Sequence, residues 1–358
     1  MKKLFYILPE YYADTSTHFK YNVELLESVA ENMKVFLFIE RGEKFESNIQ
    51  KIYVAKFHFL PMRILERFFI FSLARMCGYE NFYSHYAYLS AMISGFVCRF
   101  SFGKLYFWHC EMRKEYEEAC NLCNLPAKIT KDWPFRVVLK LCSKLVTCSE
   151  QMKKYYSKEF AVPMKKIAVM PNWVDTEKLA ISDKKHGKTI LFLHWLSPRK
   201  GSRILPEMFS AINEKIQDVK FIVVGEGPDF SFLMDEFKRR KLKVEMPGAI
   251  ANKDILSYFK KADLFINPSR EEEFGRVIIE AMAAGLPVVC TKTFGAETIL
   301  TAKQKKFTFD YDKPKEGAGK CVEILSSSKI YEDLKKDGLA RVKNFDKKTV
   351  LQSFTSLF

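Results

Sequence analysis

The sequence predicts an α/β protein of two domains, each a mostly parallel sheet with helices on both faces. Three observations point there. The chain has 358 residues, more than one hydrophobic core comfortably fills. Its second half alternates short apolar runs with helical-period segments five times at close spacing. Its first half repeats that alternation less legibly. Hydrophobic residues at 48% and charged residues at 28% fit a globular chain rather than a disordered one, and 32 Phe predict dense aromatic cores.

Taken in order, "KLFYILPEY" and "KVFLFIE" read as strands flanking the helix "HFKYNVELLESVAE". The first run is no secretory signal, because Pro and Glu end it at once. "HYAYLSAMISGFVC", the longest charge-free stretch, is closed by Arg99 and falls short of the ~18 apolar residues of a membrane span. It reads as a core helix. "KLYFWHCE" (104–111) is a strand, and "KLVTCSEQMKKYYSKEF" a strand followed by a helix. "KIAVMPNWVDTEKL" leads to the charged, Gly-containing "DKKHGK" (183–188), which reads as a linker and bounds a first domain of 1–182.

The second domain, 183–340, begins with the strand "TILFLHWL" (189–196) and the helical "SRILPEMFSAINEKI". "VKFIVVGEGP" ends in glycine-rich turn chemistry before the helix "DFSFLMDEFKRRKL". "VEMPGAI" is a short strand; "NKDILSYFKKA" opens on Asn252, a good N-cap. "DLFINPS", "GRVIIEAMAAG" and "LPVVCTKT" then read as strand, helix and strand. Residues 341–358 form a last helix that either closes the second domain or returns to the first. Such sheets bind ligands beyond the carboxyl ends of their strands. Both domains therefore read as Rossmann-like, facing one another across a cleft.

A formal charge of +15 favours an anionic partner. Residues 1–170 hold 25 basic and 17 acidic side chains, so the excess is spread evenly and no basic arm for nucleic acid stands out. A local excess lies at 51–110, with seven Lys or Arg against two Glu, interleaved with aromatics. It reads as an ordinary solvated face or as a surface for anionic lipid. The sequence thus predicts a cytoplasmic chain, with peripheral contact on the inner face of a membrane as the most it makes with a bilayer. Nine cysteines, an odd number, imply reduced thiols. Cys120 and Cys123 form a lone CxxC without the second pair that a structural zinc site needs.

Three features of the second domain carry chemistry. "SPRKGS" places Arg199, Lys200 and the Gly201 amide near a helix start, where anions are favoured. "VGEGP" puts Gly225 at a strand end. "EEEFGRVIIEAMAAG" puts Glu272 in a loop and Glu280 inside the helix, with Phe274 and Gly275 between them. A carboxylate among Val277, Ile278, Ile279, Ala281 and Met282 is costly unless satisfied. Either that helix face is wet or a ligand bonds it. Two carboxylates, helix-start amides and Lys200 suit a diphosphate bearing a sugar at one end and a ribose at the other.

"PSREEEFGRVIIEAMAAGLPVV" resembles the E-x7-E signature of the family-4 retaining glycosyltransferases, which have the GT-B fold. "PNWVD", "SPRKG", "FIVVGEGP", "VEMPGAI" and "DILSYFKKADLFINPS" resemble that family's motifs in order and spacing, over roughly 165–300. The resemblance implies that Glu280 binds the donor ribose and Glu272 holds the donor sugar near the reacting centre. It implies that Lys200 neutralises the diphosphate and that the amides of Phe274, Gly275, Arg276 and Val277 cradle phosphate and sugar. His109 matches the family's first-domain histidine facing the donor sugar, and His85 resembles a second such position. The implied activity is retaining, metal-independent transfer of a hexose from a nucleotide-diphosphate sugar. The implied acceptor is a glycan or lipid-linked molecule of bacterial-type surface polysaccharide or glycolipid synthesis.

The sequence departs from the pattern in two places. Trp195 stands where the family commonly has an arginine, so Arg199 or Arg276 would have to supply the second diphosphate-binding cation. "YYADTSTH" replaces the glycine pair after the first strand, on the acceptor side. Two other readings share the fold: a nucleotide-sugar epimerase, and a non-catalytic nucleotide-sugar sensor.

Overall fold

In a computed structural model of the chain, the described residues are 1–12, 19–112, 125–181, 186–251 and 254–358, with the backbone alone over 125–132. They form two compact units, Met1–Met170 with Leu351–Phe358, and Pro171–Val350. The division falls after Met170, ahead of the linker expected at 183–188, because the "PNWVD" segment is tied into the second unit. Val174 pairs with Asp346, its N–H donates to the Phe345 carbonyl at 2.9 Å, and the Thr176 hydroxyl donates to the Asp346 carboxylate.

The first unit holds seven strands: β1 (Lys3–Leu8), β2 (Lys34–Ile39), β3 (Lys51–Val54), β4 (Asn81–His85), β5 (Lys104–Trp108), β6 (Lys144–Thr147) and β7 (Ile167–Val169). They pair in parallel in the order β3-β2-β1-β4-β5-β6-β7. The helices are α1 (Lys20–Ala30), α2 (Leu60–Met76), α3 (Tyr88–Phe100), α4 (Leu125–Leu141) and α5 (Glu150–Phe160). β1 and β2 read as near-continuous apolar runs because both faces of a parallel sheet are covered. The expected aromatic core is there: Phe5 stacks on Phe82 at 4.6 Å and meets Phe36 and Phe71 edge-on. The charge-free stretch forms α3, whose inward face is small, with Ser90, Ala91, Ser94 and Gly95 buried.

Cys110 and Cys148 form a disulfide, with Cα atoms 6.1 Å apart. This corrects the expectation of reduced thiols throughout. The two residues stand just past the carboxyl ends of the adjacent strands β5 and β6, a neighbour relation hidden by a sequence separation of 38. Cys120, Cys123, Asn252 and most of "YYADTSTH" lie outside the described residues.

The second unit holds β8 (Thr189–Leu193), β9 (Lys220–Val224), β10 (Val244–Gly248), β11 (Leu264–Asn267), β12 (Val288–Thr291) and β13 (Thr308–Phe309). Its helices are α6 (Thr176–Leu179), α7 (Leu205–Asn213), α8 (Phe230–Arg239), α9 (Ile255–Lys261), α10 (Arg276–Ala283), α11 (Phe294–Ile299), α12 (Pro314–Leu325) and α13 (Ser328–Val342). The strand order is β10-β9-β8-β11-β12-β13. From β8 the chain steps outward to β9 and β10, then returns to β11 on the other side of β8. The crevice where that direction reverses, at the carboxyl ends of β8 and β11, is the topological switch point of the sheet.

The chain ends in α14 (Lys347–Thr355), whose final part rejoins the first unit. There Phe354 meets Tyr83 edge-on at 5.2 Å, and Phe358 meets Tyr106 at 5.0 Å. The Tyr106 hydroxyl donates to the Leu357 carbonyl at 2.8 Å.

Candidate functional site

At the switch point of the second unit, the loops after β8 and β11 lie against each other. Ser197 begins a 3-10 turn over Pro198–Lys200, closed by Gly201 at φ 78°. A Cβ on Gly201 would stand 1.9 Å from the Pro268 carbonyl oxygen, so only glycine permits the approach. That approach brings Lys200 to Glu272. Lys200 Nζ donates to Glu272 Oε2 at 2.7 Å, and both side chains are largely buried. His194 Nε2 lies 3.5 Å from the same oxygen. The Trp195 N–H donates to His194 Nδ1 at 2.9 Å, which leaves the proton of a neutral imidazole on Nε2, aimed at Glu272.

The electrostatics follow from burial and these neighbours. Burial alone would raise the Glu272 carboxyl, but Lys200 and His194 override it and hold it well below the usual carboxylate range. Burial and the Lys200 charge lower His194, against the pull of Glu272. Next in the chain, burial and the Glu272 charge raise the Glu273 carboxyl, opposed by Arg199, whose guanidinium stands 3.8 Å away.

The helix α10 begins after Gly275 and buries Ile278, Ile279, Ala281 and Met282. Glu280 shares the opposite, partly exposed strip with Arg276 and Val277. Arg276 Nε stands 3.0 Å from Glu280 Oε1 one turn away, and its guanidinium lies 5.8 Å from the Trp173 ring centroid. Burial raises the Glu280 carboxyl, and Arg276 only partly offsets it. Phe274 is buried and meets Phe345 edge-on. Gly225 packs under the β8 loop, where a Cβ would reach the His194 carbonyl oxygen at 1.9 Å.

The structure thus gathers Lys200 with Glu272, Arg199 with Glu273, and Arg276 with Glu280. Trp195 is 59% exposed, and both arginines considered as its replacement already face carboxylates. Sequence reasoning missed the contact of His194 with Glu272. It also missed buried Asp229, which accepts from Ser202 Oγ and stands 3.1 Å from Arg203 Nε.

In the first unit, His109 follows β5 and is buried. Its Nδ1 lies 2.6 Å from the Tyr156 hydroxyl and its Nε2 2.7 Å from that of Tyr88; the Glu111 carboxylate is 3.6 Å from Nε2. His85 stacks on Trp108 at 4.1 Å, with Nδ1 3.3 Å from the Tyr6 hydroxyl. Neither tyrosine around His109 was signalled by spacing, since each comes from a different helix.

Residues 174–341 match the family described as glycosyl transferases group 1. A 2-deoxystreptamine N-acetyl-D-glucosaminyltransferase of Niallia circulans is 31% identical over 150 residues, 41% of this chain and 39% of the relative. A phosphatidylinositol N-acetylglucosaminyltransferase subunit of Homo sapiens is 33% identical over 138 residues, 37% of this chain and 28% of that one. The chain therefore matches well under half the length of these relatives. HepE of Anabaena, solved in complex with UDP, superposes over 100% of this chain and 99% of its own, with a TM-score of 0.79 at 17% identity. The chain has the two-unit GT-B fold, and its residues 174–341 are similar to glycosyl transferases group 1.

Proposed function

We propose that this chain is a retaining glycosyltransferase. It would take a hexose-type sugar from a nucleotide-diphosphate sugar bound at the β8–β11 switch point. The acceptor would be a glycan or lipid-linked molecule of surface polysaccharide or glycolipid synthesis. The observation that carries this reading is the buried Lys200–Glu272 pair at 2.7 Å, set where the sheet reverses. A buried cation held by a single carboxylate has donor capacity left for phosphate oxygens.

In this reading Lys200 and the start of α10, whose first-turn N–H groups lack intrahelical acceptors, bind the diphosphate. Glu272 stays ionised and accepts from a sugar hydroxyl. Glu280 turns from Arg276 to the ribose hydroxyls, which frees Arg276 for the phosphates. As the bond from the anomeric carbon to phosphate oxygen breaks, the acceptor oxygen bonds that carbon on the same face. The acceptor proton passes to the leaving diphosphate. The protein contributes position and charge stabilisation, and with Lys200 and the amides as the positive groups no metal is required. The names of the curated relatives make N-acetylglucosamine the first sugar to test.

A thermal-shift panel of nucleotide-sugars on wild type and Glu280→Ala tests the site, since a ligand raises the melting temperature according to its concentration over Kd. One donor should stabilise the wild type and leave the variant unmoved. Proton NMR of the transferred sugar should then show the donor's anomeric configuration. An inverted product, or no shift with any donor, refutes the reading.

A further inference from the structure

In the first unit, α2 turns two of its charged residues inward beside Phe71 and Ala74. Glu66 and Arg67 are 7% and 0% exposed. Glu66 accepts from the Tyr53 hydroxyl at 2.9 Å and the Lys56 N–H at 2.7 Å. Arg67 Nε donates to Ser90 Oγ at 2.9 Å, and its guanidinium lies 3.5 Å from Glu40. The outward face is apolar. Leu65, Phe69 and Met76 recur at helical spacing and are 61%, 66% and 84% exposed.

The neighbouring α3 extends the patch with Phe100 and, just beyond it, Phe102, which are 70% and 96% exposed. Between the helices opens an apolar groove of about 570 Å³, walled by Phe68 and Met76 on one side and Phe96 and Phe100 on the other. Contiguous exposure of this kind marks an interaction surface. The same segment carries Lys56, Arg63, Arg99 and Lys104 at least partly exposed, while of its two glutamates only Glu80 remains at the surface.

We infer that the α2–α3 face docks on an anionic lipid bilayer. The aromatic and aliphatic side chains insert between acyl chains, and the four basic side chains lie at headgroup phosphates. Charge complementarity selects this occupant. A second copy meeting the face through a two-fold axis would bring the same excess of basic side chains to both sides of the contact. Among the described residues no helix is long and apolar enough to cross a membrane. At 17 residues, α2 spans about 25 Å and would lie in the plane of the interface. The docking face belongs to the first unit alone and does not rest on the sugar-transfer reading.

Flotation of the full chain with vesicles tests it, comparing pure phosphatidylcholine with a mixture containing about one-third phosphatidylglycerol. The wild type should float with the anionic vesicles and bind at least about tenfold more weakly to neutral ones or in high salt. Leu65→Ser with Phe69→Ser, and separately Arg99→Ala with Lys104→Ala, should each lose about tenfold with unchanged melting temperatures, because those side chains are exposed. Glu272→Gln should float like wild type, which separates this surface from the sugar site. Equal binding to neutral vesicles, or full binding by the double variants, overturns the inference. So does a wild-type dimer that fails to float and becomes monomeric in Leu65→Ser/Phe69→Ser.

Discussion

Replacing Lys200 by Met removes the cation 2.7 Å from a carboxylate that is itself largely buried. Breaking such a pair from one side costs roughly 3–5 kcal/mol, because the remaining charge is left uncompensated. His194 Nε2, 3.5 Å from Glu272, keeps one partner in place, so the lower figure of about 3 kcal/mol is expected. The loss should depend on pH with a definite sign. In the wild type the Glu272 carboxyl is held below its ordinary value. Its contribution is present above the unfolded value and lost only as pH falls through the folded one. Without Lys200, burial dominates and pushes the carboxyl up, so stability present at low pH is lost as pH rises through the raised value. The gap between Lys200→Met and wild type should therefore be small near about pH 4, the range of an unfolded Glu, and widen towards neutrality. Adding Glu272→Gln should recover most of the stability while donor binding stays weakened about ten- to hundredfold, the worth of a lost charged hydrogen bond. Urea titration read by hydrogen exchange on peptides from 264–283 follows this unit, and calorimetry reads the donor. A pH-independent loss under about 1 kcal/mol would refute the reasoning, since an exposed pair behaves that way.

Three further outcomes are expected. Gly201→Ala should cost at least ~1–3 kcal/mol, because the added methyl meets the Pro268 carbonyl at 1.9 Å at a left-handed φ; an unchanged unfolding midpoint would contradict the packing of the two loops. Glu280→Gln should leave stability unchanged near about pH 4 and raise it at pH above neutrality, because burial raises this carboxyl and its charged form is lost with the substitution. The same variant should lose the donor-induced shift, and a variant destabilised at high pH would count against that account. Adding EDTA should leave the donor-induced shift unaltered, and its abolition would show a metal in the site.

Much of this was legible in the sequence, for a physical reason. Strands buried on both faces, such as "KVFLFI" and "KFIVV", read as unbroken apolar runs, and four of the second unit's strands, β8, β9, β11 and β12, are legible for that reason. The short strands β3, β4 and β7 were not. "NFYSH" hides two polar residues that the fold satisfies internally, with Ser84 bonding to the Ala87 carbonyl and His85 to Tyr6. Loop chemistry marked Lys200 and Glu272 separately, but not their contact across 72 residues of sequence, which follows from β8 lying beside β11. The same limit hid His194 and the Cys110–Cys148 pairing. Glu280 was legible as an anomaly, and the answer is mixed: it sits on a partly wet strip with Arg276 as its partner. The face of α2 reads in the sequence only as a basic, aromatic segment, because nothing in its spacing says that Glu66 and Arg67 turn inward.

The return of Leu351–Phe358 to the first unit has a bearing on how the molecule is made. Tyr83 and Tyr106 receive Phe354 and Phe358 only when those two codons have been translated. Residues Pro171–Val350 emerge in between, which at ~5–20 residues per second imposes a wait on the order of ten to forty seconds. During that interval the ribosome carries a nascent first unit with an uncapped aromatic surface, while the second unit has every residue it needs as soon as it clears the tunnel. The later-made half is thus the one able to finish first, and a fragment ending at 182 would be born with a sticky seam that the full-length chain closes for itself.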